Sequence, residues 1–242
     1  MESFISSENR GHVFFVGDIH GDALVLFEFA LSTGVFVSEN PTTIPLLASI
    51  HRTYTPQKQQ NHATLLGDDS GLHHLHWKCN DTSIVVLVGD VVDNYRYGSQ
   101  RPHASITQPL STTSGNIRIA NMAMDSERHI VNTLQRLQKE AAQQGGKIVW
   151  ILGNHDVGNV LNDINCSHYT SLDQCYPPPN TKFFKADRTL WIKEAIIAMN
   201  AVVMCVIDDM LVCHGGLSPQ FIEHCMEENI GITMVNRRFQ KA

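Results

Sequence analysis

The chain has 242 residues, 24 of them acidic and 18 basic, for a formal net charge of −6. Hydrophobic residues make up 43% and charged residues 17%, a balance that excludes a disordered chain. The acidic excess excludes nucleic acid as the main partner, because phosphate backbones select clustered Lys and Arg. The length suits one large α/β domain, so residues 1–242 are read as a single domain.

The opening MESFISSENRGHVFFVGD has no basic segment followed by an apolar one. No secretory signal is therefore expected, and the chain reads as cytoplasmic. Val13 to Val16 is a short apolar run that predicts a buried strand, stopped by Gly17-Asp18. Asp22 then caps a helix through Phe29 to Ser32, with Gly34 as its stop. Residues 38–80 change character, with Pro41, Pro45, Pro56, His51, His62, His73, His74 and His76 among many Thr and Gln. This stretch reads as an insertion or long excursion, too short for its own core. Its patch of His73, His74 and His76 beside Trp77 reads as a polar-facing surface strand or loop rather than a metal or pH-responsive site.

Ser83 to Val88 predicts a second strand, ended by Gly89-Asp90, and residues 94–115 read as loop. A helix is predicted from about Asn116 to Gln144, where Ile130, Leu134, Leu137 and Ala141 recur at helical spacing and Gly145-Gly146 ends the run. Lys147 to Leu152 is a third apolar run, ending in Gly153-Asn154. A loop over 162–181 precedes a helix from Thr189 to Met199. Ala201 to Ile207 and Met210 to Cys213 read as strands around an Asp208-Asp209 turn, ending in His214-Gly215-Gly216. Ser218 caps a last helix with Pro219 in its first turn, and Arg237-Arg238 reads as a solvated charged stretch. Met199, Met204, Met210, Trp150 and Trp191 read as core. The most apolar late stretch, Ala195 to Ile207, is shorter than the ~20 residues of a membrane span, so no membrane partner is expected. The six cysteines form no CxxC pair, which argues against structural zinc. Without a secretory signal they read as reduced thiols, although Cys166 and Cys175 share one loop.

The organising fact is that strand-like runs end repeatedly in Gly plus a metal-capable residue. The motifs are GDIHG (Gly17 to Gly21), GDVVD (Gly89 to Asp93), GNHD (Gly153 to Asp156) and HGG (His214 to Gly216). Each alone is ordinary turn chemistry. An open α/β sheet binds ligands outside the carboxyl ends of its strands, which predicts Asp18, His20, Asp90, Asn154 and His214 on one rim.

Together and in this order, the motifs resemble those of the calcineurin-like metallophosphoesterases. HGGLSP (His214 to Pro219) resembles the phosphoprotein phosphatase branch. GGKIVWILGNHDVGNVLND and HWKCNDTSIVVLVGD resemble the Shewanella-like (bacterial-like) protein phosphatases. The resemblance spans most of residues 12–238, with gaps at 41–75 and 162–185. It implies an α/β sandwich of two mixed β-sheets flanked by helices, with the C-terminal portion of the family domain not present.

The resemblance also implies roles. Asp18 and His20 are expected to hold a first metal, Asp90 to bridge two metals, and Asn154 and His214 to hold the second. His155 is expected to be the general acid for the leaving oxygen, oriented by Asp93. Carboxylate and amide oxygens with imidazoles suit Mn, Fe or Zn, so the implied cofactors are two divalent ions. Such a pair clamps the oxygens of an in-line displacement and activates a hydroxide. A neighbouring carboxylate keeps an imidazole protonated, as an acid requires.

Three departures stand out. Asn94 occupies the place of the phosphate-gripping Arg, so Arg96 is the candidate phosphate-binding residue and Arg101 the reserve. Asp156 replaces the usual Glu. The family's further His on the second metal, downstream of HGG, has no counterpart, since only His224 follows His214. The second site is therefore expected to bind metal weakly. The implied function is a phosphoprotein phosphatase acting on a phosphorylated protein. The alternatives are a small-molecule phosphoesterase, such as a dinucleoside polyphosphate hydrolase, and a non-catalytic relic that binds a partner.

Overall fold

The computed structural model describes residues 3–8, 11–53, 71–92, 113–161 and 181–241. The loops expected over 94–115 and 162–181 lie outside the described residues but for their last residues, which already belong to helices starting at Thr113 and Thr181; Asp93, Arg96, Arg101, Cys166 and Cys175 also lie outside. Two facing sheets carry the fold, as expected. The first has the order β2 (Val13–Val16), β5 (Ile84–Val88), β6 (Lys147–Ile151), parallel throughout, with Val13 opposite Ile84 and Ile84 opposite Lys147. Val202 extends it by one bridge to Ile151. The second is mixed: β1 (Phe4–Ile5) runs parallel to β7 (Met204–Ile207), which pairs antiparallel with β8 (Met210–Cys213). A two-stranded pair, β3 (Phe36–Val37) and β4 (His76–Trp77), stands apart.

Side-chain alternation sends the first sheet's residues into two cores. Val85, Leu87, Ile148 and Trp150 face the helices, joined there by Leu26, Phe27, Ile130, Leu134 and Leu137. Ile84, Val86, Val149 and Ile151 face the second sheet, against Ile5, Cys205 and Ile207. The helix layer holds α1 (Ala23–Thr33), α2 (Thr43–Thr53), α3 (Thr113–Gln143) and α5 (Thr181–Ala198). The short α4 (Asn154–Leu161) follows β6, and α6 (Pro219–Glu227) and α7 (Ile232–Lys241) follow β8. Asn236 ties α7 to the second sheet: its Oδ1 accepts from the Val203 and Met204 amides at 2.9 and 3.3 Å, and its Nδ2 donates to the Met204 carbonyl.

Helix ends obey local chemistry. Asp22 accepts from the Leu24 amide at 3.0 Å and Ser218 from the Phe221 amide at 3.2 Å, each capping as expected. Three helices close in the same way. The Gly146 amide reaches back to the Ala141 carbonyl, Ala201 to Ile196, and Ile230 to Cys225. The preceding residue in each case, Gly145, Asn200 or Asn229, takes a left-handed conformation.

The excursion is not separate from the fold. Its described part contributes α2, a helical turn (Leu72–His74) and β4, and it buries Ile44, Ala48, Leu72, Leu75 and Trp77 in the main core. His73 and His74 are exposed, as the surface reading expects. His76 instead meets Arg136 and Glu140 of α3. Met199 and Met204 are buried, but Met210 is 46% exposed, which corrects the expectation of core. It lies on β8, which among the described residues has a neighbour on one side only. Among the described residues no helix is long and apolar enough to cross a membrane.

Candidate metal centre

The expected rim forms at the carboxyl ends of β2, β5, β6 and β8. Asp18 and His20 follow β2, with Ile19 between them anchored in the core at 1% exposure. The His20 amide donates to the Asp90 carbonyl at 2.7 Å and the Gly21 amide to the Val91 carbonyl at 2.8 Å, lashing the first loop to the second. Asp18, His20 and Asp90 all hold positive φ, at 43°, 45° and 50°. Such conformations cost an L-residue energy and persist where the surroundings over-determine them.

Asp90 is the hub, buried at 4% exposure. Two groups of ligand atoms share it, each group lying within 4.8 Å: His20, Asp90 and His155, and Asp18, Asp90 and His214. These trios cut across the pairing of Asp18 with His20 that the family implies. The His155 amide, in the first turn of α4, donates to Asp90 Oδ1 at 2.9 Å. The His155 ring packs edge-on against that of His20, with centroids 4.9 Å apart. Asn154 is exposed, while His20, His155 and His214 are half-buried, so the hub forms a floor beneath reachable groups.

His214 carries the most telling contacts. Its Nδ1 lies 2.7 Å from the Val88 carbonyl, which can only accept, so Nδ1 holds the proton. The other ring nitrogen, Nε2, then faces Asn154 Oδ1 at 3.1 Å and Asp90 Oδ2 at 3.4 Å. A proton on Nε2, a turn of the Asn154 amide or a cation between the three groups would each satisfy this arrangement. The donor set of imidazole nitrogen, amide oxygen and carboxylate oxygen fits a divalent transition ion. The Val88 carbonyl orients the His214 ring from behind, as partners of metal-bound His commonly do.

Sequence reasoning assigned no role to Asp156 or to two glycines. A β-carbon on Gly153 would collide with the Asp90 carboxylate, and one on Gly89, at φ 84°, with the His214 ring. Asp156 is fully buried, and burial pushes its carboxyl up to about 6, with the Asp90 charge adding to the rise against the pull of the Gly153 and Val92 amides. Its signal was present in GNHD: an acid at the third position of α4 accepts from the amide of the capping residue, Gly153, at 2.9 Å.

A parallel sheet with candidate metal ligands at its strand ends, faced by a second sheet, defines an α/β sandwich. The sequence profile of the calcineurin-like phosphoesterases matches residues 11–240, and the chain belongs to that family. Among solved structures, the chain is similar to a cold-active protein-tyrosine phosphatase of a psychrophilic Shewanella sp., with a TM-score of 0.53 and 14% identity. It is likewise similar to a mutant cold-active protein tyrosine phosphatase, with a TM-score of 0.53 and 13% identity. Both comparisons cover 100% of this chain and 51% of the other, so the chain spans about half the length of the structures it matches. No curated protein matches the chain.

Proposed function

We propose that the chain carries the centre of a metal-dependent phosphomonoesterase, and that the whole protein acts as a protein phosphatase. The observation that carries this reading is the pair of ligand groups sharing buried Asp90. The family's pattern would give Asp18, His20 and Asp90 one divalent ion and Asp90, Asn154 and His214 a second, with Mn, Fe or Zn as candidates; the trios of this structure, His20, Asp90 and His155 and Asp18, Asp90 and His214, agree with it in the shared Asp90 and divide the outer ligands differently. When bound, such ions supply Lewis acidity toward phosphoryl oxygens and toward water. His155 stands beside them with its backbone fixed on Asp90 and its ring on His20, placed to give a proton to the leaving oxygen. Ile19, Val91 and Val92, next to the candidate ligands in sequence, are buried in the main core and anchor the two loops. The HGGLSP motif and the likeness to phosphatase structures support a phosphorylated protein as substrate over a small phosphoester.

The test is hydrolysis of p-nitrophenyl phosphate with Mn²⁺, run beside Asp90→Asn. We expect turnover in the natural sequence and none in the variant, with the variant still folded. Equal turnover in both would defeat the shared-carboxylate reading. No turnover in either would favour a non-catalytic binding module.

A further inference from the structure

We infer that Asp156 is a positioning residue for the metal centre: it clamps the loop behind Asp90 to the loop that presents Asn154 and His155, and thereby sets metal affinity. The inference rests on the reading of Asp90 as a metal ligand. Asp156 is 0% exposed, so it touches no substrate. Its carboxylate gathers four N–H donors from three places. Oδ1 accepts from the amides of Val91 and Val92 at 3.0 and 3.1 Å, the two residues that follow Asp90. Oδ2 accepts from the Gly153 amide at 2.9 Å, directly before Asn154, and from the Trp150 indole at 3.2 Å, in β6. One side chain thus spans the ends of β5 and β6.

The clamp matters because Asp90 is held in a conformation it would not choose. Its φ of 50° is sustained by what binds its neighbours. The His20 amide holds its carbonyl from one side, and Asp156 holds the next two amides from the other. Releasing Val91 and Val92 would let Asp90 relax and swing its carboxylate away from His20, His155 and His214. An Asn at 156 offers one oxygen and one NH₂. Whichever way it turns, an NH₂ faces two N–H donors, so half of the clamp opens.

The experiment is a calorimetric Mn²⁺ titration of the natural chain, Asp156→Asn, Trp150→Phe and Asp90→Asn, well below each one's melting temperature. Partners behind metal ligands typically govern affinity by about 10–100-fold. We expect Asp156→Asn to weaken Mn²⁺ binding at least tenfold while the chain stays folded by circular dichroism. Trp150→Phe removes one donor of the four and should weaken binding about threefold. A purely structural Asp156 would lower the melting temperature yet leave affinity per folded molecule unchanged. Affinity within twofold of natural in folded Asp156→Asn overturns the inference. If that variant does not fold, unchanged affinity in Trp150→Phe overturns it equally. A natural chain that takes up no Mn²⁺, or an Asp90→Asn variant that binds as tightly as the natural one, overturns the metal-centre reading itself, and the inference with it.

Discussion

His155 shows how one residue serves two ends of the centre. Its amide donates to Asp90 and its ring lies against His20, so backbone and side chain are fixed by different neighbours. Truncation to Ala removes the ring and keeps the amide. His155→Ala should therefore lower kcat by about 10²–10⁴-fold, the usual worth of a general acid, while the Mn²⁺ dissociation constant stays within about threefold. Steady-state kinetics paired with a metal titration separates the two. A large loss of metal with little change in kcat at saturating metal would make His155 a ligand rather than an acid. That outcome is a real alternative, because His155 shares a 4.8 Å group with His20 and Asp90. The candidate ligands were legible as residues, because Asp, Asn or His close to a Gly at the end of an apolar run marks a tight, polar strand end. What was not legible was their grouping. Which of Asp18 and His20 faces His214 depends on left-handed backbone that spacing does not encode.

The excursion is held to the fold by a small polar joint on α3. Glu140 accepts from the Trp77 amide at 2.8 Å and from Arg136 at 2.6 Å, with His76 at 3.5 Å. Arg136 also donates to the carbonyls of Leu72 and Leu75. Burial alone would raise the Glu140 carboxyl, but the Trp77 amide and Arg136 hold it below its ordinary value. A depressed carboxylate contributes stability above its unfolded value of 4.5 and loses it as pH falls through the folded value. Glu140→Gln should thus cost about 1–2 kcal/mol at pH 7, and the difference should shrink at an acid pH below the folded value. Urea unfolding at both pH values measures it, and a gap that persists in acid would place the effect elsewhere. This joint also shows where element reading stopped. The strands β2, β5, β6 and β8 and the caps of α1 and α6 were plain, since each is written in adjacent residues. Helix α2 was hidden by Pro45, yet a proline in the first turn gives up no helical hydrogen bond. The two-residue strands β1, β3 and β4 are too short to show alternation. In α7, buried Asn236 broke the apolar pattern because its side chain serves the backbone of the second sheet.

At the scale of the whole molecule, the site and the fold pull against each other. The inter-sheet core and the helix layer converge on the rim where Asp18, Asp90, Asn154 and His214 bring electron pairs together. On the reading of these residues as metal ligands, their electron pairs oppose one another when no cation lies between them, a cost that centres kept for function commonly carry. Metal binding should then stabilise the entire chain. Mn²⁺ at a hundred times its dissociation constant contributes about 2.7 kcal/mol by linkage, which for a chain of this size raises the melting temperature by about 5–10 °C. Asp90→Asn separates the two halves of the argument. The Asn oxygen can keep the His155 amide, while its NH₂ takes the place of Oδ2 and can donate to His214 Nε2. Without metal, the variant should melt at or above the natural chain, and the rise with Mn²⁺ should be lost. Differential scanning calorimetry of both proteins, with Mn²⁺ and with chelator, reads all four melting temperatures. A variant that melts several degrees lower in chelator would make Asp90 a structural residue, and an equal Mn²⁺ response in both would move the metal away from the rim.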